Sequence, residues 1–232
     1  MKLMLLFWLI PILNFAQSNI EGIGKFKIKK TTIAYLDTIC KEQDLDRVIF
    51  RNFQDQMKGG RRAKLAEIIA DTLTMYSSPS HARFRKEVKV FYISKMRIST
   101  IDITNTYLTF YRDTLVDINT DFTLDISQAL ELKYGKGEVE QKDKIINCTI
   151  TFTGQKVEHT ETMFYTRWRN GDITCTAAVG DYFDNECKKQ SLSYISIITF
   201  KAYKKVGDCD EEMKAKIKAR KDTNKKKELK DF

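Results

Sequence analysis

Histidine and proline are scarce in this 232-residue chain, which contains two of each. The two histidines, His81 and His159, lie near no GxSxG or other nucleophile motif, so the sequence shows no nucleophile–base pair for covalent catalysis. HExxH and calcium-loop spacings are missing and no cysteines are spaced as CxxC, so we expect neither a zinc site nor another metal centre. The stretch KYGKGE follows a predicted helix instead of preceding one, and we therefore expect no phosphate loop and no cofactor.

Long apolar runs are missing as well, except at the start of the chain. The segment MKLMLLFWLIPILNFAQS carries a positive charge at Lys2, an apolar run from Leu3 to Leu13 and the small residue Ala16. This pattern is typical of a secretory signal peptide, so residues 1–16 are predicted to be removed on export to the periplasm or beyond. The run is shorter than the roughly 20 apolar residues of a membrane-spanning helix. No transmembrane segment is expected after cleavage.

Five cysteines follow the predicted signal, and an oxidising compartment allows up to two disulfides among them. Five choices of the unpaired residue, times three pairings of the other four, give 15 arrangements, so the connectivity stays open. The cysteines are Cys40, Cys148, Cys175, Cys187 and Cys209.

The chain is basic, with a formal net charge of +9. Part of the excess lies in the stretch from Asp210 onward, and the remainder is spread over a much longer body. Because export removes the protein from most DNA and RNA, we expect no nucleic-acid partner. Binding of another polyanion through a basic loop and the tail remains an alternative.

The alternation of apolar and polar residues predicts an α+β protein, an antiparallel meander of about six to eight strands with two or three packed helices. We expect one domain over residues 17–207 and a charged tail, helical or disordered, over residues 208–232. The predicted strands cover residues 25–30, 86–98, 101–111, 115–120, 146–153, the hairpin 162–179, and 192–203. In the second strand, one face is expected to carry Val88, Val90, Tyr92, Met96 and Ile98.

The clearest helix signal is DFTLDISQALELKYG, which starts with a capping residue at Asp121 or Thr123 and ends at Gly135. Its apolar residues have helical spacing: Phe122, Ile126, Ala129, Leu130 and Tyr134. Because packing on a sheet explains every part of this segment, we interpret it as scaffold and not as a binding site.

Two other segments have helical spacing. A cap at Thr31 or Thr32 precedes one of them and predicts a helix through Cys40. Residues 62–75 fit either a helix or an edge strand, and the apolar spacing from Leu65 to Leu73 favours the helix.

Asn170-Gly171 is the strongest hairpin signal in the chain. A two-residue turn at these positions places Trp168 opposite Ile173 and gives the hairpin one continuous apolar face. The opposite face is then polar and basic.

Two polar groups are candidate binding sites. The polar side of the hairpin carries residue types that are enriched in protein interfaces, namely Tyr165, Arg167 and Arg169. The loop SSPSHARFRK carries groups that suit an anion, namely His81, Arg83, Arg85 and Lys86, with Arg61 and Arg62 as further members.

These features predict an exported, non-enzymatic module that binds a protein or another component of the bacterial envelope or exterior. The alternative from a different class is an exported hydrolase with a carboxylate pair, because 31 acidic residues allow many pairs in space and no motif selects one.

The segment LTFYRDTLVDI, the helix ending in LKYG and the signal ending in FAQ together resemble uncharacterised exported proteins of Bacteroidetes-type bacteria. The resemblance covers about Lys25–Tyr203. It implies an α+β sheet domain and carries over no catalytic residues. At the level of fold alone, the chain is also similar to small helix-on-sheet envelope proteins such as β-lactamase-inhibitor-like modules.

Overall fold

The structure is a computed structural model, and it describes residues 19–57, 62–70, 81–150, 152–184 and 186–228. The predicted signal peptide lies outside these ranges. The strands are β1 Gly22–Ile23, β2 Phe26–Lys27, β3 Asp46–Phe50, β4 Lys64–Ile68, β5 Val88–Ile98, β6 Ile101–Tyr111, β7 Thr114–Asp121, β8 Glu138–Thr149, β9 Lys156–Asn170, β10 Ile173–Phe183 and β11 Lys189–Thr199. The helices are α1 Tyr35–Glu42, α2 Phe53–Met57, α3 Leu124–Tyr134 and α4 Phe200–Glu228.

Nine strands form one sheet in the order β3-β4-β5-β6-β7-β11-β10-β9-β8, and β1 and β2 form a separate ribbon. The predicted α+β class and the mainly antiparallel sheet are confirmed. The sheet is larger than the expected six to eight strands, and it is mixed because β3 and β4 run parallel. It also contains two meanders instead of one, β5–β7 and β8–β11, which meet where β11 pairs with β7.

The main core lies on one face of the sheet, which we call the core face. After β7 the chain crosses this face as α3 and enters the far edge of the sheet as β8. Helix α1 and the β1–β2 ribbon lie on the same face. Their buried side chains pack with those of the central strands: Phe26, Leu36, Ile39, Ile126, Leu130, Phe91, Phe110, Ile195 and Ile197.

Helix α3 has the ends that the sequence predicts. The Thr123 side chain accepts a hydrogen bond from the Ile126 amide at 3.2 Å, and Gly135 ends the helix with a φ of 79°. Two further bonds hold the C-terminal end against the core face. Tyr134 donates its hydroxyl proton to the Gly22 carbonyl at 3.1 Å, and Trp168 Nε1 donates to the Gly135 carbonyl at 2.7 Å.

The helix favoured for residues 62–75 is wrong over Lys64–Ile68, which form β4 between β3 and β5. Leu65, Ala66 and Ile68 are all buried, because both faces of the sheet are covered at this point. A strand that is buried on both faces loses its polar alternation and can imitate helical spacing. Residues 71–75 lie outside the described residues.

The predicted hairpin exists, but its register differs by two residues. Gly171 and Asp172 form the turn, so Trp168 pairs with Cys175 and not with Ile173. The φ of Gly171 is positive, at 59°, while Asn170 stays in the strand, which is the pattern of a turn with glycine at its first central position. A shift of two residues leaves every side chain on its predicted face.

Two other strand predictions need correction. The last strand ends at Thr199 and not at Tyr203, because helix α4 begins at Phe200. In β5, Val90 packs on one face of the sheet whereas Met96 joins the core on the other. The alternation changes face between these two residues, where the register of β5 with β6 is interrupted after Ile93 and Asn105 on β6 has a left-handed φ of 49°.

Helix α4 starts eight residues before the predicted tail. Val206 is fully buried against Val88 and Val116, and Asp210 is only 2% exposed. None of the helices in the described residues has both the length and the apolar character needed to cross a bilayer.

One disulfide is formed, between Cys148 at the end of β8 and Cys187 in the loop between β10 and β11. The other three cysteines are free: Cys40, Cys175 and Cys209.

Candidate functional site

The face opposite the core face carries a band of aromatic and polar side chains, which we call the polar face. Pairing across the strands places Tyr92 beside Tyr107, and Tyr107 beside Asn119. The next row along the strands places Asp121 beside Tyr194, and Ala178 separates Tyr194 from Tyr165. The band runs from β5 to β9, which is about 24 Å at the usual spacing between strands. Its residues are Tyr92, Tyr107, Asn119, Asp121, Tyr194, Tyr165 and Arg167.

A cleft of about 620 Å³ opens in this band. Its side chains come from β5, β6, β7 and β11, with additions from α2 and from the loop before β5: Gln56, His81, Tyr92, Asn105, Tyr107, Asn119, Thr120, Asp121, Leu192, Ser193 and Tyr194. Two other cavities are smaller, about 90 Å³ beside α3 and about 280 Å³ beside α1. Of these three cavities in the described part of the chain, the cleft on the polar face has the largest volume and the most polar side chains.

Hydrogen bonds fix the cleft side chains in place. Tyr92 donates its hydroxyl proton to Asn105 Oδ1 at 2.7 Å, and Asn105 Nδ2 donates to Asp121 Oδ2 at 2.7 Å. The same carboxylate oxygen accepts a bond from Thr104 Oγ1 at 2.8 Å. Asp121 therefore has one oxygen held by the protein, which orients the other.

The aromatic rings of the cleft also contact each other. The His81 ring stacks on Tyr107 with 3.9 Å between the centroids, and Tyr107 lies 5.0 Å from the tilted ring of Tyr92. Gln56 Nε2 donates a hydrogen bond to the Tyr107 hydroxyl at 2.8 Å. The left-handed conformation of His81, with a φ of 63°, belongs to the loop that brings this ring over the sheet.

Burial sets the protonation of these rings. It raises the pKa of Tyr107 to about 12, to which the neighbouring Tyr92 contributes, and it raises the pKa of Tyr92 as well. Burial lowers the pKa of His81, and the positive charge of Arg83 lowers it further. At neutral pH the tyrosines are protonated and the imidazole is uncharged. The lining residues in the described part of the chain include one carboxylate, Asp121, and no lysine or arginine.

The predicted hairpin residues lie on the same polar face, beyond the cleft. Arg167 forms an ion pair with Glu140, and its guanidinium carbon lies 5.1 Å from the centre of the Tyr165 ring. Lys142 approaches the same ring at 5.7 Å. Arg169 is exposed and forms no ion pair within the described residues.

The structure divides the predicted loop group between two places. His81 lines the cleft, whereas Arg83 and Arg85 face helix α4, 3.9 Å from the carboxylates of Asp210 and Glu212 respectively. The Phe84 amide donates a hydrogen bond to Asp210 at 2.9 Å.

The remaining members of this group lie apart. Lys86 is exposed, Arg62 lies 3.8 Å from Asp46, and Arg61 falls outside the described residues. The anions closest to the two loop arginines are thus carboxylates of the protein itself.

A buried carboxyl group, Asp117, lies on β7 four residues before Asp121. Burial raises its pKa to about 6, although the hydrogen bond from Thr109 at 3.1 Å and the charge of Arg83 act in the opposite direction. Four residues of strand separate the two acids by about 13 Å, which is beyond the range of about 5–9.5 Å for a catalytic carboxylate pair.

One group of possible metal ligands exists although the sequence predicted none. The ligand atoms of Cys148, His159 and Cys187 lie within 4.8 Å of one another. The two sulfurs are joined in the disulfide, however, so only the imidazole is left as a ligand. The His159 ring stacks on Phe183 at 4.0 Å, so it has a packing role in any case.

Apart from His81, the cleft residues were not predicted from the sequence to be part of a site. Tyr92 and Tyr107 were visible as strand aromatics, but their partners Asp121 and Tyr194 meet only because β7 pairs with β11, over 70 residues apart in the chain. No local signal shows such a pairing.

Comparisons of the chain with protein-family models, with curated proteins and with solved structures found no match. The chemistry of the polar face is therefore the basis for a function.

Proposed function

We propose that the protein is an exported binding module, without catalytic activity, whose polar face holds a partner from the bacterial envelope or exterior. The observation that carries this proposal is the placement of the cleft and the Tyr165–Arg167 pair in one band on one face of the sheet. The opposite face is covered by α1, α3 and the β1–β2 ribbon. A long, rigid surface with one open side is suited to holding a partner.

The residue types of the band also favour binding. Tyrosine and arginine contribute more than other residues to the energy of protein interfaces, because each offers a large flat surface with a polar end. Here the pairing of Arg167 with Glu140 and the Tyr165 ring holds both side chains in a defined position before a partner arrives. Such preorganisation reduces the entropy lost on binding.

A hydrolase is less well supported by the same geometry. Among the residues that the structure describes, the cleft has one carboxylate, and the nearest acid on the same strand lies about 13 Å away by strand spacing. The His81 imidazole stacks on Tyr107 and forms no hydrogen bond to a serine, threonine or cysteine within the described residues. Polyanion binding by Arg83 and Arg85 is also less well supported, because both face acidic side chains of α4.

Quantitative capture from an envelope extract of the native host tests the proposal. The wild-type protein is compared with the double variant Tyr165→Ala/Arg167→Ala and with Tyr194→Ala. The matched control is Leu132→Ala, because Leu132 is a large residue exposed on α3 and lies away from the polar face. Circular dichroism verifies that each variant is folded.

The polar-face variants should recover about tenfold less of the wild-type partner, which corresponds to about 1.4 kcal/mol, whereas the control should recover as much as wild type. If the polar-face variants and the control recover the same partner equally well, the polar face is not the binding surface.

A further inference from the structure

We infer that the cleft binds a neutral, hydroxyl-rich ring compound, that is, a short saccharide. This inference rests on the proposal that the polar face is a binding surface, and it adds the chemical class of the ligand. Three properties of the cleft support it: flat aromatic surface, hydrogen-bonding groups that have no partner among the described residues, and a described lining that contains no lysine or arginine.

The first property is a platform of aromatic rings. Sugar rings have one face of C–H groups, which packs on an aromatic ring, and an edge of hydroxyl groups, which needs polar partners. Tyr194 is half-buried, lines the cleft and stacks on no other aromatic ring within the described residues. Tyr92 and His81 add ring surface on the opposite side. A ligand between them has aromatic surface on two sides.

The second property is a set of polar groups with capacity left for a ligand. Asp121 Oδ2 accepts two bonds from the protein, but Oδ1 accepts none within the described part of the chain. The side chains of Asn119 and Ser193 likewise make no hydrogen bond there. A carboxylate accepts hydrogen bonds, and an amide both accepts and donates them. Together they can bind two adjacent hydroxyl groups of a ligand. Since Thr104 and Asn105 already orient Asp121, the ligand does not have to order it.

The third property is charge. Within the described residues the lining has one carboxylate, Asp121, which repels an anion, and no lysine or arginine. The charges of Arg83 and Arg167 act on His81 and Tyr194 from outside this lining. The tyrosine and histidine rings are uncharged at neutral pH and suit a neutral ligand. The volume of about 620 Å³ lies in the range of about 300–1,000 Å³ for small-molecule sites, with room for more than one sugar ring.

Isothermal titration of the folded protein with purified oligosaccharides tests the inference. The panel consists of neutral trisaccharides built from α- and β-linked glucose, mannose, galactose and N-acetylglucosamine. A galacturonic acid trimer is the anionic comparison, and a lysine-containing tripeptide is the cationic one. The variants are Tyr194→Ala and Asp121→Asn. Tyr182→Ala is the matched control, because Tyr182 is an exposed tyrosine of the same sheet outside the cleft.

At least one neutral trisaccharide should bind with one site per chain, and more tightly than the acidic trimer. Tyr194→Ala should weaken that binding about tenfold, while Tyr182→Ala should leave it unchanged. Asp121→Asn should weaken it less than Tyr194→Ala, because asparagine keeps an acceptor oxygen. The acidic trimer should gain affinity in this variant.

Three results would overturn the inference: no binding of any neutral trisaccharide, tighter binding of the acidic trimer or the tripeptide, or binding that Tyr194→Ala leaves intact. If no saccharide binds while Tyr194→Ala still loses the envelope partner, the ligand class is wrong and the proposed function stands. If Tyr194→Ala and Tyr165→Ala/Arg167→Ala also retain the partner, both proposals fail.

Discussion

Asp117 is a buried carboxyl group whose raised pKa could not be predicted from its neighbours in the sequence. It lies on the polar face but beneath the loop before β5, and it shares Arg83 with Asp210 of α4. Two buried carboxyl groups and one arginine thus connect β7, this loop and α4. The arginine that the sequence offers as an anion site is instead part of the packing between these elements.

The raised pKa of Asp117 predicts a specific dependence of stability on pH. The unfolded chain releases this proton near pH 4, whereas the folded protein keeps it up to about pH 6. The stability that the protonated group provides is therefore complete below pH 4 and is lost as the pH rises through 6. The difference of about two pH units corresponds to about 3 kcal/mol.

Asp117→Asn should remove this dependence, because the amide carries no charge and can still accept the bond from Thr109. We expect the variant to gain about 1–3 kcal/mol of unfolding free energy at pH 7 and to match wild type near pH 3.5. Urea unfolding at several pH values measures this, with the exposed Asp125→Asn as the control. If the unfolding free energies of wild type and Asp117→Asn change with pH in parallel, Asp117 does not have the raised pKa.

Helix α3 packs on the core face of the sheet and is interpreted as scaffold. Its buried residues face the core, and its two ends are held by Thr123 and by the bond from Trp168 to Gly135. The hydrogen bond from the Tyr134 hydroxyl ties the same end to the β1–β2 ribbon. The contacts of α3 that the described residues show are with the core face and the ribbon.

Leu130→Ala should therefore lower the unfolding free energy by about 2–5 kcal/mol, the usual range for truncation of a buried leucine. Asp125→Ala, on the exposed side of the same helix, should change stability by less than about 0.5 kcal/mol and leave binding unaltered. Chemical denaturation and partner capture measure the two effects. Loss of binding by a folded Asp125→Ala variant would show that α3 belongs to a site.

Helix α4 differs along its length. Its first part is docked through Val206 and Asp210, whereas the residues after Glu212 are mostly exposed. Deletion of residues 212–232 should therefore change the melting temperature by no more than a few degrees, at about 2–4 °C per kcal/mol.

Deletion of residues 206–232 should be far more damaging, since it removes a buried valine and a buried hydrogen bond that together contribute about 2–4 kcal/mol. Differential scanning calorimetry of the two truncated chains measures the difference. A similar melting temperature for both deletions would show that the docked part of α4 contributes nothing.

The elements that the sequence predicts well are those with local signals. Strand β6, strand β7 and helix α3 follow from alternation, a tight turn at Arg112 and Asp113, a cap and a final glycine, all within about 35 residues. Strand β4 was missed because burial on both faces removes the polar residues that mark a strand. The cleft was missed because Asp121 and Tyr194 meet only through the β7–β11 pair.

In the whole molecule, the two faces of the sheet differ: one packs the main core, and the other carries the proposed binding surface. The core face is closed by α1, α3 and the ribbon, and the disulfide from Cys148 to Cys187 joins β8 to the loop that follows β10. The polar face keeps a band of tyrosines open across six strands. Both the proposed function and the proposed ligand class depend on this division.

Radical oxidation of side chains, measured by mass spectrometry with and without the captured partner, tests whether the partner binds to the polar face. Tyrosine reacts readily, so the chain carries its own reporters on both faces. Bound partner should slow the oxidation of Tyr92, Tyr194 and Tyr165 several-fold, while Tyr35 at the start of α1 and Tyr203 on α4 should react as before. Protection of Tyr35 or Tyr203 without protection of Tyr194 would place the partner elsewhere and contradict the account.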